Sequence, residues 1–285
     1  MTQILDGGWG TQLQQRGLGI GECPDIWNIS QPDKVKEVAQ AYINAGSDII
    51  LTNTFGSNRF TLAKQITDGD LGKHVADINR AGVRISLETA KARGKKVFAS
   101  VGPSGIMLMT SATSPDELYA AFLEQVQAIA TEKPDGIVVE TMSDPAEAVL
   151  AVKAAKTTGL TVAVSMVFDS GKNKDRTMMG TTPEQAVEQL TAAGADIIGS
   201  NCGQGIEGFI PICRRMRAVT KLPLWMKANA GLPEVLDGQT VYRQTPEKFA
   251  TAAQELIDAG ADYIGGCCGT TPEFIEALVT LTQKR

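Results

Sequence analysis

The chain has 285 residues, a formal net charge of −5 at pH 7, 43% hydrophobic residues and 21% charged residues. This composition is typical of a globular protein, and the lack of a basic face argues against nucleic acid as a partner. No stretch approaches ~18 apolar residues, so we predict no membrane span. The absence of a secretory signal and the odd number of cysteines, five, predict a reducing, cytoplasmic location.

Short β-rich runs alternate with helical runs along the whole chain, and eight of them are candidate strands. Most are continuous apolar runs, which is typical of parallel strands covered on both faces. The predicted strands span residues 3–7, 48–55, 96–102, 136–141, 161–168, 196–201, 223–228 and 263–267.

The helical runs between these strands share a start signal and an end signal. Six are predicted to begin with proline at the first helical position, where a missing N–H costs no hydrogen bond. Three end in Ala-Gly followed by Ser or Ala and then Asp, and this glycine can adopt the left-handed conformation that ends a helix. The prolines are Pro32, Pro115, Pro145, Pro183, Pro246 and Pro272, and the helix ends are at 45–48, 193–196 and 259–262.

A βα unit repeated about eight times, with no linker rich in proline or serine, predicts a single (β/α)8 TIM barrel of the α/β class. Residues 1–285 are expected to form this one domain. An open, doubly wound sheet is the alternative, but eight similar units without a central break favour the closed barrel. In a TIM barrel, functional residues lie at the carboxyl ends of the strands.

Three of the five cysteines lie at predicted strand ends: Cys202 follows the sixth strand, and Cys267 and Cys268 follow the eighth. Three thiolates can bind Zn²⁺ and leave a fourth position open, so we predict a catalytic zinc site at the C-terminal mouth of the barrel. Thiolate ligands suit a substrate that contains sulfur. A redox disulfide between Cys202 and one neighbour, or burial of the cysteines as small apolar side chains, are the alternatives.

Two further observations narrow the chemistry. Because His74 is the only histidine, Ser-His-Asp triads, HExxH zinc sites and two-histidine iron sites are excluded. Residues 203–208 match the G-x-G-x-x-G pattern of dinucleotide-binding proteins, but no acid ends the following strand. We therefore interpret these glycines as positions where the backbone passes close to the metal.

Two acidic residues, Asp6 and Glu140, end strands that face the same mouth of the predicted barrel. Two unpaired carboxylates there would suit the ammonium group of a substrate. A salt bridge to a nearby lysine or arginine is the structural alternative, and a general acid/base pair is a third possibility.

At these positions the chain resembles the homocysteine S-methyltransferase family. The similarity runs in order along nearly the whole chain, and its most specific part is Gly-Gly-Cys-Cys-Gly with the upstream Asn-Cys. Residues 227–233 are most similar to the homocysteine-binding domain of cobalamin-dependent methionine synthase. The segments that carry the resemblance are 6–13, 52–56, 102–105, 140–141, 201–202 and 265–273.

The resemblance implies that the three cysteines bind one Zn²⁺ ion and that the barrel methylates homocysteine to methionine. A metal that deprotonates a thiol with an ordinary pKa of ~8.5 would make a histidine base unnecessary. The resemblance also implies that Asp6 and Glu140 bind the substrate ammonium, and that backbone residues 7–11 with the Thr11 hydroxyl lie near its carboxylate. The residues expected to contact substrate or orient ligands are Asp6, Gly7, Thr11, Asn53, Ser104, Glu140 and Asn201.

The methyl donor differs among relatives. Similarity at residues 227–233 implies methylcobalamin or another methylcorrinoid. The surroundings of His74 do not match a cobalamin-binding motif, so we expect a separate corrinoid-binding protein to supply the donor. Corrinoid-independent transfer from S-methylmethionine or betaine, and methylation of another thiol, are alternatives. A non-catalytic, zinc-stabilised binding barrel is an alternative of another class, although structural zinc sites normally have four protein ligands.

Overall fold

A computed structural model describes residues 2–19, 21–67, 69–236 and 239–283. Within these ranges, eight strands form one parallel sheet and two strands form a small antiparallel hairpin. The strands are β1 (Gln3–Ile4), β2 (Ile49–Leu51), β3 (Lys96–Val101), β4 (Gly136–Met142), β5 (Thr161–Met166), β6 (Ile197–Gly205), β7 (Leu224–Asn229), β8 (Glu234–Leu236), β9 (Gln239–Val241) and β10 (Tyr263–Gly266).

Helices follow the strands in the alternation expected of a TIM barrel. They are α1 (Trp9–Gln15), a 3-10 helix (Pro24–Ile26), α2 (Trp27–Ser30), α3 (Pro32–Asn44), α4 (Arg59–Leu62), α5 (Leu71–Lys91), α6 (Pro115–Ala130), α7 (Pro145–Lys156), α8 (Pro183–Ala192), α9 (Ile206–Val219), α10 (Pro246–Asp258) and α11 (Pro272–Gln283).

The parallel sheet closes into a barrel at a seam between β1 and β2. Its strand order is β1-β10-β7-β6-β5-β4-β3-β2, so β1 and β2 are the two end strands. The backbone N–H of Asp48 donates to the Ile4 carbonyl at 2.7 Å, and the Asp48 carboxylate accepts from the Ile4 N–H at 3.0 Å. The Asp6 carboxylate accepts from the Leu51 N–H at 2.6 Å. The (β/α)8 fold is therefore confirmed, and the open sheet was the wrong alternative.

At four places around the barrel, an aspartate just before a strand forms two hydrogen bonds to the neighbouring strand. In each case its N–H donates to a carbonyl of the preceding strand and its carboxylate accepts from the N–H of the same residue. The pairs are Asp48 with Ile4, Asp135 with Val97, Asp196 with Val162, and Asp262 with Leu224. Three of these aspartates end the Ala-Gly-(Ser/Ala)-Asp sequences. The repeated sequence therefore ends a helix and also joins alternate pairs of strands.

Replacing Asp196 with alanine is expected to lower the free energy of unfolding by about 1–3 kcal/mol, because the buried Val162 N–H loses its charged acceptor. Asp196 also forms an ion pair with Lys156 at 2.8 Å, but both side chains are more than a third exposed. Lys156→Ala should therefore cost no more than about 1 kcal/mol. Urea denaturation of both variants measures this difference. An equal loss of unfolding free energy in both variants would show that the exposed ion pair, rather than the hydrogen bonds between Asp196 and Val162, supplies the stability.

The predicted helix signals are confirmed at both ends. All six prolines begin helices: α3, α6, α7, α8, α10 and α11. Ser114 and Thr182 form capping boxes with the third residue of their helices, which satisfies N–H groups that the first turn leaves open. Gly46, Gly194 and Gly260 adopt positive φ values of 98°, 96° and 105° directly after helices.

The interior of the barrel is filled with apolar side chains below its mouth. The rings of Phe98 and Trp225 are stacked with centroids 5.5 Å apart, and the Tyr263 ring centroid lies 5.4 Å from that of Trp225. One buried cluster contains Leu5, Ile49, Leu51, Phe98, Val138, Ala163, Ile197 and Trp225. A TIM barrel packed in this way has no pore, and the open space lies at the mouth.

No helix within the described ranges is long and apolar enough to cross a membrane.

Candidate functional site

Three cysteines meet at the carboxyl end of the barrel. Cys202 lies within β6, and Cys267 and Cys268 directly follow β10. Their sulfur atoms all lie within 4.8 Å of one another, and the Cys202 and Cys268 sulfurs are 3.9 Å apart. Thiolates bound at ~2.3 Å to a tetrahedral zinc ion lie ~3.8 Å from each other. The predicted set of three thiols is thus brought together at a spacing that could hold one metal ion.

Close packing around the backbone fixes the position of the two adjacent cysteines. A Cβ at Gly266 would collide with the Thr270 side chain, and a Cβ at Gly269 would collide with the Tyr242 ring. The Cys267 N–H donates to the Ala228 carbonyl at 2.7 Å, which ties the turn to β7. Steric clashes therefore explain why glycine occupies both positions that flank the cysteines.

Amide side chains from two neighbouring strands surround the thiols. Asn201 donates to the Cys267 sulfur at 3.8 Å and also accepts from the Thr141 N–H at 2.7 Å. Thr141 has a positive φ of 63°, and this hydrogen bond helps to hold that uncommon conformation. Asn229 accepts from the Cys268 N–H at 3.1 Å. Asn201 was predicted from the sequence, whereas Asn229 was not.

One of the three clustered thiols, Cys202, differs electrostatically from the other four cysteines. Hydrogen bonds from Cys267 and Cys268 lower the pKa of the Cys202 thiol to about 3. Burial instead raises the pKa of Cys23 and of Cys213 to about 12. Within the cluster, hydrogen bonding to Cys202 raises the pKa of Cys267 above its usual value and that of Cys268 to about 11. In the absence of a metal the cluster therefore holds one thiolate, Cys202, beside two protonated thiols.

A cavity of about 520 Å³ opens above the thiols. This volume is in the usual range for small-molecule sites. The three cysteines contribute to its lining, together with Glu140 and Lys227. The remaining lining comes largely from the segments after β1 and at the end of β2, among them 7–11, 21–25, 51–53 and 55–56. The space is large enough for an amino acid with a thiol side chain.

The two predicted acids occupy different environments. Asp6 is completely buried, is not part of the cavity lining, and accepts from Lys227, from the Trp9 indole and from the Leu51 N–H at 2.5, 2.6 and 2.6 Å. The salt bridge that was the structural alternative is therefore present at Asp6. Glu140 lines the cavity and accepts from the Ser100 hydroxyl at 2.5 Å.

Lys227, which the sequence analysis did not assign to the site, lies between these acids. Its side chain is only 2% exposed. In the parallel sheet, Lys227 is the register partner of Asn201 in β6 and of Gly265 in β10. Burial by itself lowers the pKa of Lys227, but the charges of Asp6 and Glu140 outweigh it and raise the pKa. Burial raises the pKa of Glu140, an effect that Lys227 and Ser100 oppose. Lys227 is thus a buried cation in the wall of the cavity.

The other predicted contact residues fall into two groups. Gly7, Thr11 and Asn53 line the cavity. The Thr11 hydroxyl accepts from the Gly269 N–H at 3.0 Å, and Asn53 donates to the Pro24 carbonyl at 2.8 Å. Ser104 lies outside the cavity lining and is fully buried.

Ser104 instead donates to the Glu147 carboxylate through its hydroxyl at 2.6 Å and through its N–H at 2.7 Å. Burial raises the pKa of Glu147 above its ordinary value of 4.5. The native state therefore holds this proton more tightly than the unfolded chain, and ionisation costs stability. Relative to Glu147→Gln, the free energy of unfolding of the wild type should fall as pH rises from 4.5 and level off above the folded pKa.

Glu117→Gln is the control with the opposite sign. Hydrogen bonds from Ser114 lower the pKa of Glu117 below 4.5, so its contribution to stability should be lost as pH falls through that lowered pKa. Urea denaturation between pH 3 and pH 8 compares both variants with the wild type. Parallel pH dependences for the two variants would contradict these assignments.

Comparisons with known proteins bear on the family and the fold of the chain. The family model described as homocysteine S-methyltransferase matches residues 3–282. A methionine synthase from Mycobacterium leprae is 28% identical over 99% of the chain, and one from Mycobacterium tuberculosis is 28% identical over 96%. The chain spans only 24% of the length of each of these relatives.

A solved structure with a similar fold is the metallated form of the homocysteine methyltransferase MmuM from Escherichia coli. It superimposes with a TM-score of 0.80 at 21% identity, covering 98% of this chain and 96% of that one. At this level of identity the similarity concerns the fold, and it agrees with the (β/α)8 assignment.

Proposed function

The chain belongs to the homocysteine S-methyltransferase family, and from this membership we propose that it is a zinc-dependent enzyme of the methionine-synthase type that methylates homocysteine to methionine. The observation that carries the proposal is the set of three thiols, Cys202, Cys267 and Cys268, within 4.8 Å of one another in the lining of a cavity of about 520 Å³.

The residues present fit a catalytic zinc ion. Three sulfur donors from two strand ends match the three protein ligands of such a site and leave a fourth position for substrate. When bound, Zn²⁺ supplies Lewis acidity that lowers the pKa of a coordinated thiol. A reducing, cytoplasmic location is part of the proposal, because exposed thiolates oxidise readily. That residues 1–285 form one domain also stays a prediction.

The side chains of the barrel would bind and orient the amino-acid end of homocysteine. Glu140 offers a carboxylate in the cavity wall to the substrate ammonium. Gly7 and Thr11 line the same cavity from the segment after β1, where the backbone and the hydroxyl can contact the substrate carboxylate. Asn201 holds the Cys267 sulfur in place through its amide. Binding in this way directs the substrate sulfur toward the three cysteines and limits its movement.

For the methyl donor we propose a methylcorrinoid, methylcobalamin or a close relative, carried by a separate corrinoid-binding protein that docks at the mouth of the barrel. The identity to two methionine synthases and the similarity at residues 227–233 support this donor. Transfer from S-methylmethionine or betaine, and a thiol acceptor other than homocysteine, remain the alternatives that an assay must separate.

The test is methionine formation from homocysteine by zinc-loaded protein, with free methylcobalamin, S-methylmethionine or betaine in parallel reactions. We expect turnover with methylcobalamin and none with the two small donors. A chelator-treated sample is the matched control and should be inactive. Turnover with S-methylmethionine or betaine alone would overturn the proposed donor. Inactivity with every donor, in protein that contains zinc, would overturn the proposed reaction.

A further inference from the structure

We propose that Thr141 is a specificity-determining residue: its hydroxyl donates a hydrogen bond to the ionised sulfur of the substrate and thereby distinguishes homocysteine from the methylated product. This inference rests on the proposed function and concerns the sulfur end of the same cavity. Thr141 follows Glu140 in β4, is partly buried and belongs to the cavity lining.

An irregular backbone places Thr141 in the cavity wall. In a regular strand the side chains of neighbouring residues lie on opposite faces, yet Glu140 and Thr141 both line the cavity. Thr141 has a positive φ of 63°, and the pairing of β4 with β5 is irregular between Val139 and Met142. A positive φ is strained for a β-branched residue, and such strain is concentrated at active sites and ligand-binding sites.

The hydrogen bonds of Asn201 determine what the Thr141 hydroxyl can do. Asn201 is completely buried, and its amide oxygen accepts from the Thr141 N–H and from the Ser165 hydroxyl, each at 2.7 Å. Because a backbone N–H can only donate, the end of the amide that faces the Thr141 hydroxyl at 2.7 Å is its NH2 group. The hydroxyl therefore accepts from Asn201 and keeps its own proton for another partner.

That proton is available to a ligand. Within the described ranges the Thr141 hydroxyl accepts from Asn201 but donates to no protein group. Since Thr141 is only partly buried and lines the cavity, the cavity is where its hydroxyl can find an acceptor. A hydroxyl has one proton to donate, so it suits a ligand atom that carries a lone pair or a negative charge.

The three thiols lie close to this hydroxyl. The Asn201 nitrogen that donates to Thr141 at 2.7 Å also lies 3.8 Å from the Cys267 sulfur. The hydroxyl and the metal-binding thiol are thus both neighbours of one amide nitrogen. A substrate sulfur directed toward the three cysteines comes within reach of the Thr141 hydroxyl.

A hydrogen bond at this position separates substrate from product by charge. An ionised sulfur accepts a strong, charge-assisted hydrogen bond, whereas the thioether sulfur of methionine is a weak acceptor. Homocysteine bound as its thiolate gains the full hydrogen bond from Thr141. Methylation of the sulfur removes most of it, which favours release of the product.

Two substitutions at position 141 separate the hydroxyl from the shape of the side chain. Valine keeps the branched shape without the hydroxyl, and serine keeps the hydroxyl. Calorimetry with zinc-loaded protein gives the dissociation constant of homocysteine directly and that of methionine by competition. Thr141→Val should weaken homocysteine binding by about 10- to 100-fold, as expected for a hydrogen bond to a charged group, and methionine binding by less than about threefold. Thr141→Ser should keep both constants within about threefold of the wild type.

Zinc content is the control for an indirect effect, because Thr141→Val leaves one N–H of Asn201 without its acceptor. We expect one zinc per chain in both variants. Loss of zinc in Thr141→Val would show that Thr141 acts on the cysteines through Asn201, and would overturn a direct contact with the substrate.

Cobalt(II)-substituted protein gives a readout that does not depend on affinity. The sulfur-to-cobalt absorption band that appears on addition of homocysteine should move to longer wavelength in Thr141→Val, because a hydrogen bond stabilises the sulfur electrons. An unchanged band would overturn the inference. Equal losses of homocysteine and methionine binding would place the hydroxyl at the amino-acid end of the substrate, which overturns the inference but leaves the proposed function intact. A zinc-loaded wild type that does not bind homocysteine would overturn both.

Discussion

Replacing Cys267 with alanine is expected to abolish metal binding and to reduce methionine formation by about a thousandfold or more. At pH 7 only about 3% of a thiol with a pKa near 8.5 is ionised, so loss of the metal removes most of the nucleophile. Loss of the fixed position of the substrate sulfur reduces the rate further. Metal analysis by mass spectrometry and the methionine assay give the two readouts.

Cys213→Ala is the matched control, because Cys213 is a buried cysteine inside α9 and is remote from the cluster. Its removal should leave one zinc per chain and wild-type turnover. Cys267→Ala should keep the circular dichroism spectrum of the folded barrel. Full zinc content and activity in Cys267→Ala would show that the three thiols are not the metal site.

Replacing Lys227 with methionine is expected to lower the free energy of unfolding by about 3–5 kcal/mol. The variant leaves the Asp6 carboxylate buried without its counter-charge, and such uncompensated charges are strongly destabilising. Urea denaturation at pH 7 measures the effect. The double variant Asp6→Asn/Lys227→Met should recover most of the loss, because a buried ion pair can be replaced by neutral side chains at little cost.

Lys95→Met is the control for this prediction, since Lys95 forms an ion pair with Asp48 at the same seam of the barrel. That pair lies at 2.9 Å with 27% and 37% of its side chains exposed. Water therefore screens its charges, and its loss should cost no more than about 1 kcal/mol. Similar costs for Lys227→Met and Lys95→Met would contradict the account of Asp6 as a buried anion held by Lys227.

The repetitive part of the fold could be predicted from the sequence because its signals are local. Proline at the first helical position and glycine after the last one act within a few residues, and both were confirmed around the barrel. Strand limits were less well predicted: β1 and β2 are shorter than expected, since two aspartate side chains and a single backbone hydrogen bond replace a regular ladder at the seam. The hairpin β8–β9 was missed, although Asp-Gly at 237–238 is a common hairpin signal.

The candidate site was predictable where chemistry identifies the residue by type. Three cysteines at strand ends have few structural explanations, and the structure brings all three together. The pairing of Asp6 with Lys227 was not predictable in detail, because it joins residues 221 positions apart through the barrel interior. Tyr242 was also missed. It follows the hairpin, and its ring packs against Gly269 directly after the cysteines, a contact between segments that are distant in the sequence.

Calorimetric titration of homocysteine into zinc-loaded protein tests most directly whether the three-cysteine site activates the substrate thiol. Performed at pH 7 in two buffers of different ionisation enthalpy, it gives the number of protons released on binding. We expect about one proton per homocysteine, because a thiol that is mostly protonated in solution would be bound as its thiolate. Binding without proton release would contradict a role for Cys202, Cys267 and Cys268 in activating the substrate.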